Sequence, residues 1–217
     1  MFQDRQEAGR LTAAELSVYR NKGAVVLGIP RGGIIIAAEI ARELNAGLDI
    51  VISRKLRTPG QEELAMGSLS ENGKIFLNEN VVQALGISMT FIEREKEIQA
   101  TEIARRSAVI RKAVPKIPVK GKIAIVTDDG VATGATTQAA LWAVRQEMPA
   151  RLIAAVPVGA EDTLRQLADA ADEIICLRAP PFFAAVGQYY RQFNQVEDDE
   201  VVQVLENERK RRVNVRS

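Results

Sequence analysis

Ile123-Ala-Ile-Val-Thr-Asp128-Asp129-Gly130-Val131-Ala132-Thr133-Gly134-Ala135-Thr136-Thr137 is the stretch from which the fold is read. It opens as a short apolar, β-branched run, the signature of a strand buried on both faces in a parallel sheet. It ends in two adjacent carboxylates and a loop of small residues. A helical pattern follows, with Ala139, Ala140, Leu141, Val144 and Met148 on one side. Strand, small-residue loop and helix together make an anion cradle. The N–H groups of the loop and first helical turn point outward unpaired, and the helix end carries roughly +0.5 of an elementary charge. Gly130 and Gly134 allow backbone angles that a side chain would block. Thr133, Thr136 and Thr137 add hydroxyl donors. Asp128 and Asp129 cannot face the same phosphate, so they face hydroxyls or a cation. The implied ligand carries phosphate at one end and a diol with a cation at the other.

Working outward, Ala24-Val-Val-Leu-Gly-Ile29 is a second buried strand running into Pro30-Arg31-Gly32-Gly33 and then a helix over 34–44. This is a second cradle of the same kind. The glycine spacing does not fit a dinucleotide fingerprint, although Asp49 lies at a suitable distance downstream. Asp49-Ile-Val-Ile-Ser53 reads as the next strand and ends in Arg54-Lys55. Leu56 to Glu63, with its Pro59-Gly60 turn signal, reads as a polar loop. Glu71-Asn-Gly73 between apolar runs predicts a hairpin, and Asn78 predicts a cap for a short helix through Leu85. The spacing from Ser88 to Ala113 predicts one long helix whose mixed charges, Arg106 among them, form a solvated face. Residues 10–20 read as a helix with Thr12 as its N-cap. Arg151 to Pro157 and Glu173 to Leu177 read as further buried strands.

Apolar strands alternating with helices mean βαβ units and right-handed crossovers. The expected architecture is α/β, a Rossmann-like parallel sheet flanked by helices. It forms a single domain over residues 1–217, with 67–113 as a hairpin-plus-helix insertion and 179–217 as a C-terminal aromatic and helical segment. Ligands in such sheets bind beyond the carboxyl ends of the strands. Arg31, Arg54, Lys55, Asp128, Asp129 and Gly159 all fall at such ends.

Composition narrows the chemistry. The chain has 217 residues, enough for one α/β domain, and its net charge of +1 provides no global field to recruit nucleic acid or membrane. With 0 histidines, serine–histidine triads and histidine-ligated metals are excluded. With 1 cysteine, Cys176, there is no internal disulfide, and Cys176 reads as a small core residue. Any metal is then a hard cation on oxygen ligands, with Mg²⁺ expected at Asp128 and Asp129, directly or through ribose hydroxyls and water. No apolar run approaches the length of a membrane span, and the charged Met-Phe-Gln-Asp-Arg start has no signal-peptide core, so a cytoplasmic location is expected.

The segment Val126-Thr-Asp-Asp-Gly-Val-Ala-Thr-Gly-Ala-Thr136 resembles the loop with which type I phosphoribosyltransferases bind 5-phosphoribosyl-1-pyrophosphate (PRPP). The resemblance implies that Asp128 and Asp129 hold the ribose 2- and 3-hydroxyls. Gly130, Val131, Ala132, Thr133, Gly134, Ala135 and Thr136 would wrap the 5-phosphate. It implies that Arg31, Gly32 and Gly33 form the pyrophosphate loop, a place where the family often carries a strained or cis peptide. Arg54-Lys55 is similar to a pair in the adenine and orotate enzymes, whose lysine reaches the pyrophosphate. Arg57 is the candidate of a mobile loop that closes over the reaction. The family's purine enzymes carry a Phe-x-x-Gly segment after the last strand. Phe183 lies one residue further from Gly187 than in that pattern, which makes Phe182 or Phe183 the candidate for stacking on a base beside Val158 and Gly159. The hypoxanthine–guanine enzymes carry an acid where this chain has Ala132.

Implied overall are a Mg²⁺-dependent phosphoribosyltransferase of nucleotide salvage, a homodimer, and PRPP with a small nitrogenous acceptor as substrates. Asp128, Asp129, Lys55 and Arg54 are the catalytic candidates. The alternative is a non-catalytic PRPP-sensing regulator on the same fold that binds nucleic acid through Arg209-Lys-Arg-Arg212.

Overall fold

The computed structural model describes residues 1–216. Helix α1 (Arg5–Glu15) precedes strand β1 (Val25–Gly28), α2 (Gly33–Leu44) and β2 (Gly47–Ile50). Three strands follow, β3 (Ser53–Thr58), β4 (Gln61–Ser70) and β5 (Ile75–Leu77), then α3 (Glu79–Ala84) and the long α4 (Met89–Ala113). The chain then alternates through β6 (Ile123–Thr127), α5 (Ala135–Arg145), β7 (Arg151–Val158), α6 (Glu161–Leu167) and β8 (Glu173–Arg178), and finishes in α7 (Asp198–Arg216).

Five of the strands form a parallel sheet in the order β2-β1-β6-β7-β8. The period-2 alternation of each strand divides its side chains between two apolar layers. Val26, Ile125 and Ile153 face a cluster that includes α1, α2 and α7 residues such as Ala8, Ile36 and Val201. Val25, Leu27, Val126 and Ala154 face the other cluster, with Leu141, Trp142 and Val144 of α5 and Leu167 of α6. Both faces are covered, which is why the strands read as unbroken apolar runs. Ile34, Ile36, Ile40 and Leu44 of α2 are fully buried. Each such side chain stabilises the fold by about 1.5–3 kcal/mol, the value for taking a large aliphatic group out of water.

The remaining strands form a separate antiparallel sheet, β3-β4-β5. Its Asn72-Gly73 turn closes the expected hairpin, with Gly73 at φ +76°. Helix α4, capped by the Ser88 hydroxyl, packs beneath it, and Ile92, Ile103 and Ile110 share a buried cluster with Leu56, Met66 and Leu69. Asn78 caps α3 as expected.

Three local readings are corrected. The N-terminal helix begins at Arg5, because the Asp4 carboxylate accepts the Glu7 N–H. Thr12 is interior and donates its hydroxyl to the Ala8 carbonyl. Strand β2 stops at Ile50, and Ser53 already belongs to the second sheet. Residues 56–63 are not a polar loop: Leu56 to Thr58 continue β3, Pro59-Gly60 makes a tight turn, and Gln61 opens β4. Arg57 and Thr58 are polar and lie on β3, which pairs on one side only, and that is why the segment looks like a loop.

A buried ionic network ties the two sheets together. Arg111 of α4 places Nη1 2.6 Å from Asp49 Oδ1 and Nε 2.6 Å from Glu71 Oε1. Asp49 is 1% exposed and also accepts the Ile117 N–H. Among the described residues no helix is long and apolar enough to cross a membrane.

Candidate active site

The two cradles lie side by side because β1 and β6 are neighbours with matched register, Gly28 opposite Thr127. After β1 the chain passes through a cis Pro30–Arg31 peptide and enters α2 at Gly33. After β6 it passes through Asp128 and Asp129 and enters α5 at Gly134, whose φ of +78° is open to glycine at little cost. The first intrahelical bond of α5 runs from Gln138 N–H to the Gly134 carbonyl, so the N–H groups of residues 135–137 have no intrahelical partner. Thr133 and Thr136 are exposed beside them. The loop is pinned from below: Thr163 Oγ1 donates to the Ala132 carbonyl at 2.7 Å, and Val131 exchanges main-chain hydrogen bonds with Val158 and Ala160.

The acids pack directly on the first cradle. A methyl group added at Gly32 would collide with Asp129 Oδ2, and one added at Gly33 would lie 2.9 Å from the Asp128 Cα. Only glycine permits this approach. Each acid uses one oxygen inside the protein. Asp128 Oδ1 accepts the Asp129 N–H at 2.9 Å, and Asp129 Oδ2 accepts Arg5 Nε at 2.8 Å. The second oxygen of each takes no part in the hydrogen bonds of the described residues.

Burial and the neighbouring charge of Asp129 push the Asp128 carboxyl well above its ordinary value. Burial raises Asp129 too, although Arg5 pulls it back. Two such carboxylates favour whatever brings compensating positive charge or hydroxyl donors. Among the described residues no group of three or more histidine, cysteine, aspartate or glutamate side chains gathers to hold a metal alone. The hard oxygens of Asp128 and Asp129 therefore fit a cation that completes its shell with ligand oxygens.

Arg5 is a residue of this site that the sequence did not reveal. It is 9% exposed, donates from Nη1 to the Asn194 carbonyl at 2.7 Å and stacks its guanidinium 3.9 Å from the Phe193 ring centre. Its partner acid lies 124 residues away, a separation that no local pattern encodes. Tyr190 adds a second tie through its hydroxyl to the Asp129 carbonyl. Burial pushes the Tyr190 hydroxyl pKa up, so it stays a donor. The aromatic C-terminal segment is thereby anchored against the acids, with Val186 close to Gly130.

Basic residues complete the site. Arg54 and Lys55 open β3 and share a small cleft of about 150 Å³ with Pro30 of the first cradle and Thr136 of the second. Arg57 lines the same cleft, with its N–H held by Glu95 Oε1 at 3.2 Å. Arg54 is paired with Glu102 at 3.3 Å, and Arg31 with Glu197 at 3.0 Å. Phe183 stacks on Tyr189 with ring centres 5.2 Å apart, and Phe182 is 90% exposed. Val158 is fully buried, and the Gly159 N–H donates to the Arg178 carbonyl. Cys176 is half-buried in β8, its thiol facing the Arg178 carbonyl.

Comparison with known proteins agrees with this geometry. The family model "Phosphoribosyl transferase domain" matches residues 3–194. Two Mycobacterium tuberculosis proteins, named "Putative phosphoribosyl transferase Rv0571c" and "Putative phosphoribosyl transferase MT0597", are 42% identical over 206 residues. The match covers 95% of this chain and 46% of each relative, so the chain spans about half the length of the curated relatives it matches. The crystal structure of TT1426 from Thermus thermophilus is 39% identical with a TM-score of 0.90, covering 95% of this chain and 98% of that one.

Proposed function

The chain belongs to the phosphoribosyl transferase domain family, and on that premise we propose that it transfers the ribose 5-phosphate group of PRPP to a nitrogenous base. The C1–O bond breaks and pyrophosphate leaves with the bonding pair. The base nitrogen forms the new bond to C1, and the base N–H proton is released. The observation that carries this reading is the packing of the Asp128–Asp129 pair directly against Gly32 and Gly33, which brings two carboxylates suited to a diol beside two strand–loop–helix turns suited to anions.

In this reading the N–H groups of residues 135–137 and the hydroxyls of Thr133 and Thr136 hold the 5-phosphate. The free oxygens of Asp128 and Asp129 hold the 2- and 3-hydroxyls, and their charge stabilises the ribose as it gains oxocarbenium character. Arg31, Arg54 and Lys55 receive the charge that leaves with pyrophosphate. Mg²⁺, entering with PRPP and held by Asp128 and Asp129 through the ribose hydroxyls and water, would neutralise part of the pyrophosphate charge. With 0 histidines in the chain no imidazole serves as base. The acceptor is a heterocycle, stacked near Phe182 and Phe183, that is acidic enough to ionise by itself or loses its proton to a carboxylate. The test mixes the protein with PRPP, Mg²⁺ and a panel of bases and measures pyrophosphate. Release that depends on one base supports the proposal, and no release with any base rejects it.

Two outcomes follow. Lys55→Ala should weaken PRPP and pyrophosphate by about tenfold or more, since a hydrogen bond to a charged group contributes ~1.5–3 kcal/mol. Ribose 5-phosphate should be almost unaffected, and equal weakening of all three in calorimetry would move Lys55 off the pyrophosphate side. The second outcome concerns Ala132, which offers no carboxylate to a 6-oxopurine. Hypoxanthine and guanine should turn over roughly tenfold or more slower than the preferred base, by the same magnitude. Steady-state rates across the panel decide, and a 6-oxopurine as the fastest substrate would contradict it.

A further inference from the structure

Helix α4 looks like a solvated helix from its sequence, yet one of its stripes is polar and turned toward β3. Glu95, Gln99, Glu102 and Arg106 are spaced i, i+4, i+7 and i+11, which puts them on one face. Three of them already organise the basic strand β3. Glu95 holds the Arg57 N–H, Gln99 donates to Glu95 at 2.9 Å, and Glu102 pairs with Arg54. Arg106 ends the stripe, lining the cleft of about 150 Å³ together with Gln99, Arg54, Lys55, Arg57 and Thr136. Its Nε is buried with no hydrogen-bond partner among the described residues. Burial also depresses the Arg106 guanidinium, opposed by Asp198 and reinforced by the positive charges of Arg54, Arg105 and Arg31. Basic residues held this close together, one of them short of an acceptor, repel one another unless an anion sits between them.

We propose that Arg106 is a pyrophosphate-binding residue, supplied from α4 to the cleft that Lys55 of β3 also lines, so that the leaving group is gripped between α4 and β3. This deepens the proposed function and rests on it. The cleft has the size of a small polyanion, and its cations come from elements on both sides of it. The guanidinium would donate from Nε to a pyrophosphate oxygen, using the donor that is otherwise unmatched.

Calorimetry with Mg²⁺ and, separately, PRPP, pyrophosphate and ribose 5-phosphate tests this on the wild type and on R106A, R106K and R105A. Arg105 is the exposed neighbour on the same helix turn, paired with Glu102 at 3.4 Å. The expected result is a loss of tenfold or more in pyrophosphate and PRPP affinity for R106A, less than twofold for ribose 5-phosphate, partial recovery in R106K, and no change in R105A. Unchanged pyrophosphate affinity in R106A, with a wild type that binds PRPP, overturns the role of Arg106 and leaves the proposed function standing. A wild type that binds neither PRPP nor pyrophosphate overturns the proposed function and this inference with it. If R106A does not fold, R106Q, which keeps a polar stem, is read by the same criteria.

Discussion

Replacing both acids, D128N together with D129N, should lower pyrophosphate release at least a hundredfold. Losing one preorganised electrostatic contact costs ~3 kcal/mol in the transition state. Here two adjacent contacts go. The single variants separate chemistry from folding. In ligand-free protein at neutral pH, D128N should melt higher than wild type. Its carboxyl has a raised value in the folded state, so the folded form favours the protonated acid. That contribution is present at acidic pH and is lost as pH rises through the raised value, leaving a charged Asp128 held against Asp129 at neutral pH. An asparagine removes that cost. D129N should gain less than D128N, because Arg5 already offsets part of the cost of burying the Asp129 charge and loses its anion in that variant. A D128N variant that is both more stable and inactive would mark Asp128 as kept for function at the expense of stability. Full activity in the double variant would remove the acids from the mechanism.

The largest expected effect on stability lies at Arg111. R111A leaves Asp49 and Glu71 buried without their main cation, and breaking a buried pair by removing one partner costs ~3–5 kcal/mol. Asp49 keeps the Ile117 N–H and Glu71 keeps the Ser107 hydroxyl, so the lower end of that range is expected. For a chain of this size that is a fall of roughly 6–12 °C in melting temperature. The fall should be accompanied by weaker PRPP binding, since Arg111 holds the antiparallel sheet that carries Arg54 and Lys55. A change below about 2 °C in a thermal melt would show that the network contributes little.

What the sequence made legible follows from how local each signal is. The parallel sheet, the two cradles, the Asn72-Gly73 turn and the Asn78 cap are each written within a dozen residues, in apolar runs and turn chemistry, and the structure has them. The antiparallel sheet was only half legible. Ser53 to Thr58 carries Arg54, Lys55 and Arg57 on an edge strand, so its pairing with β4 is set by a neighbour rather than by its own apolar pattern. Arg5 and Arg106 were illegible for the same reason. The first reaches Asp129 across more than half the chain, and the second lies on a helix whose mixed charges look solvated until its neighbour β3 is known. Charge periodicity shows which residues share a face and not what that face meets.

The central claim is tested most directly by titrating PRPP into the wild-type protein calorimetrically, with and without Mg²⁺. The account predicts one saturable site per chain, tightened by Mg²⁺ and competed by pyrophosphate. No heat beyond dilution at millimolar PRPP, or binding that pyrophosphate does not displace, would contradict it.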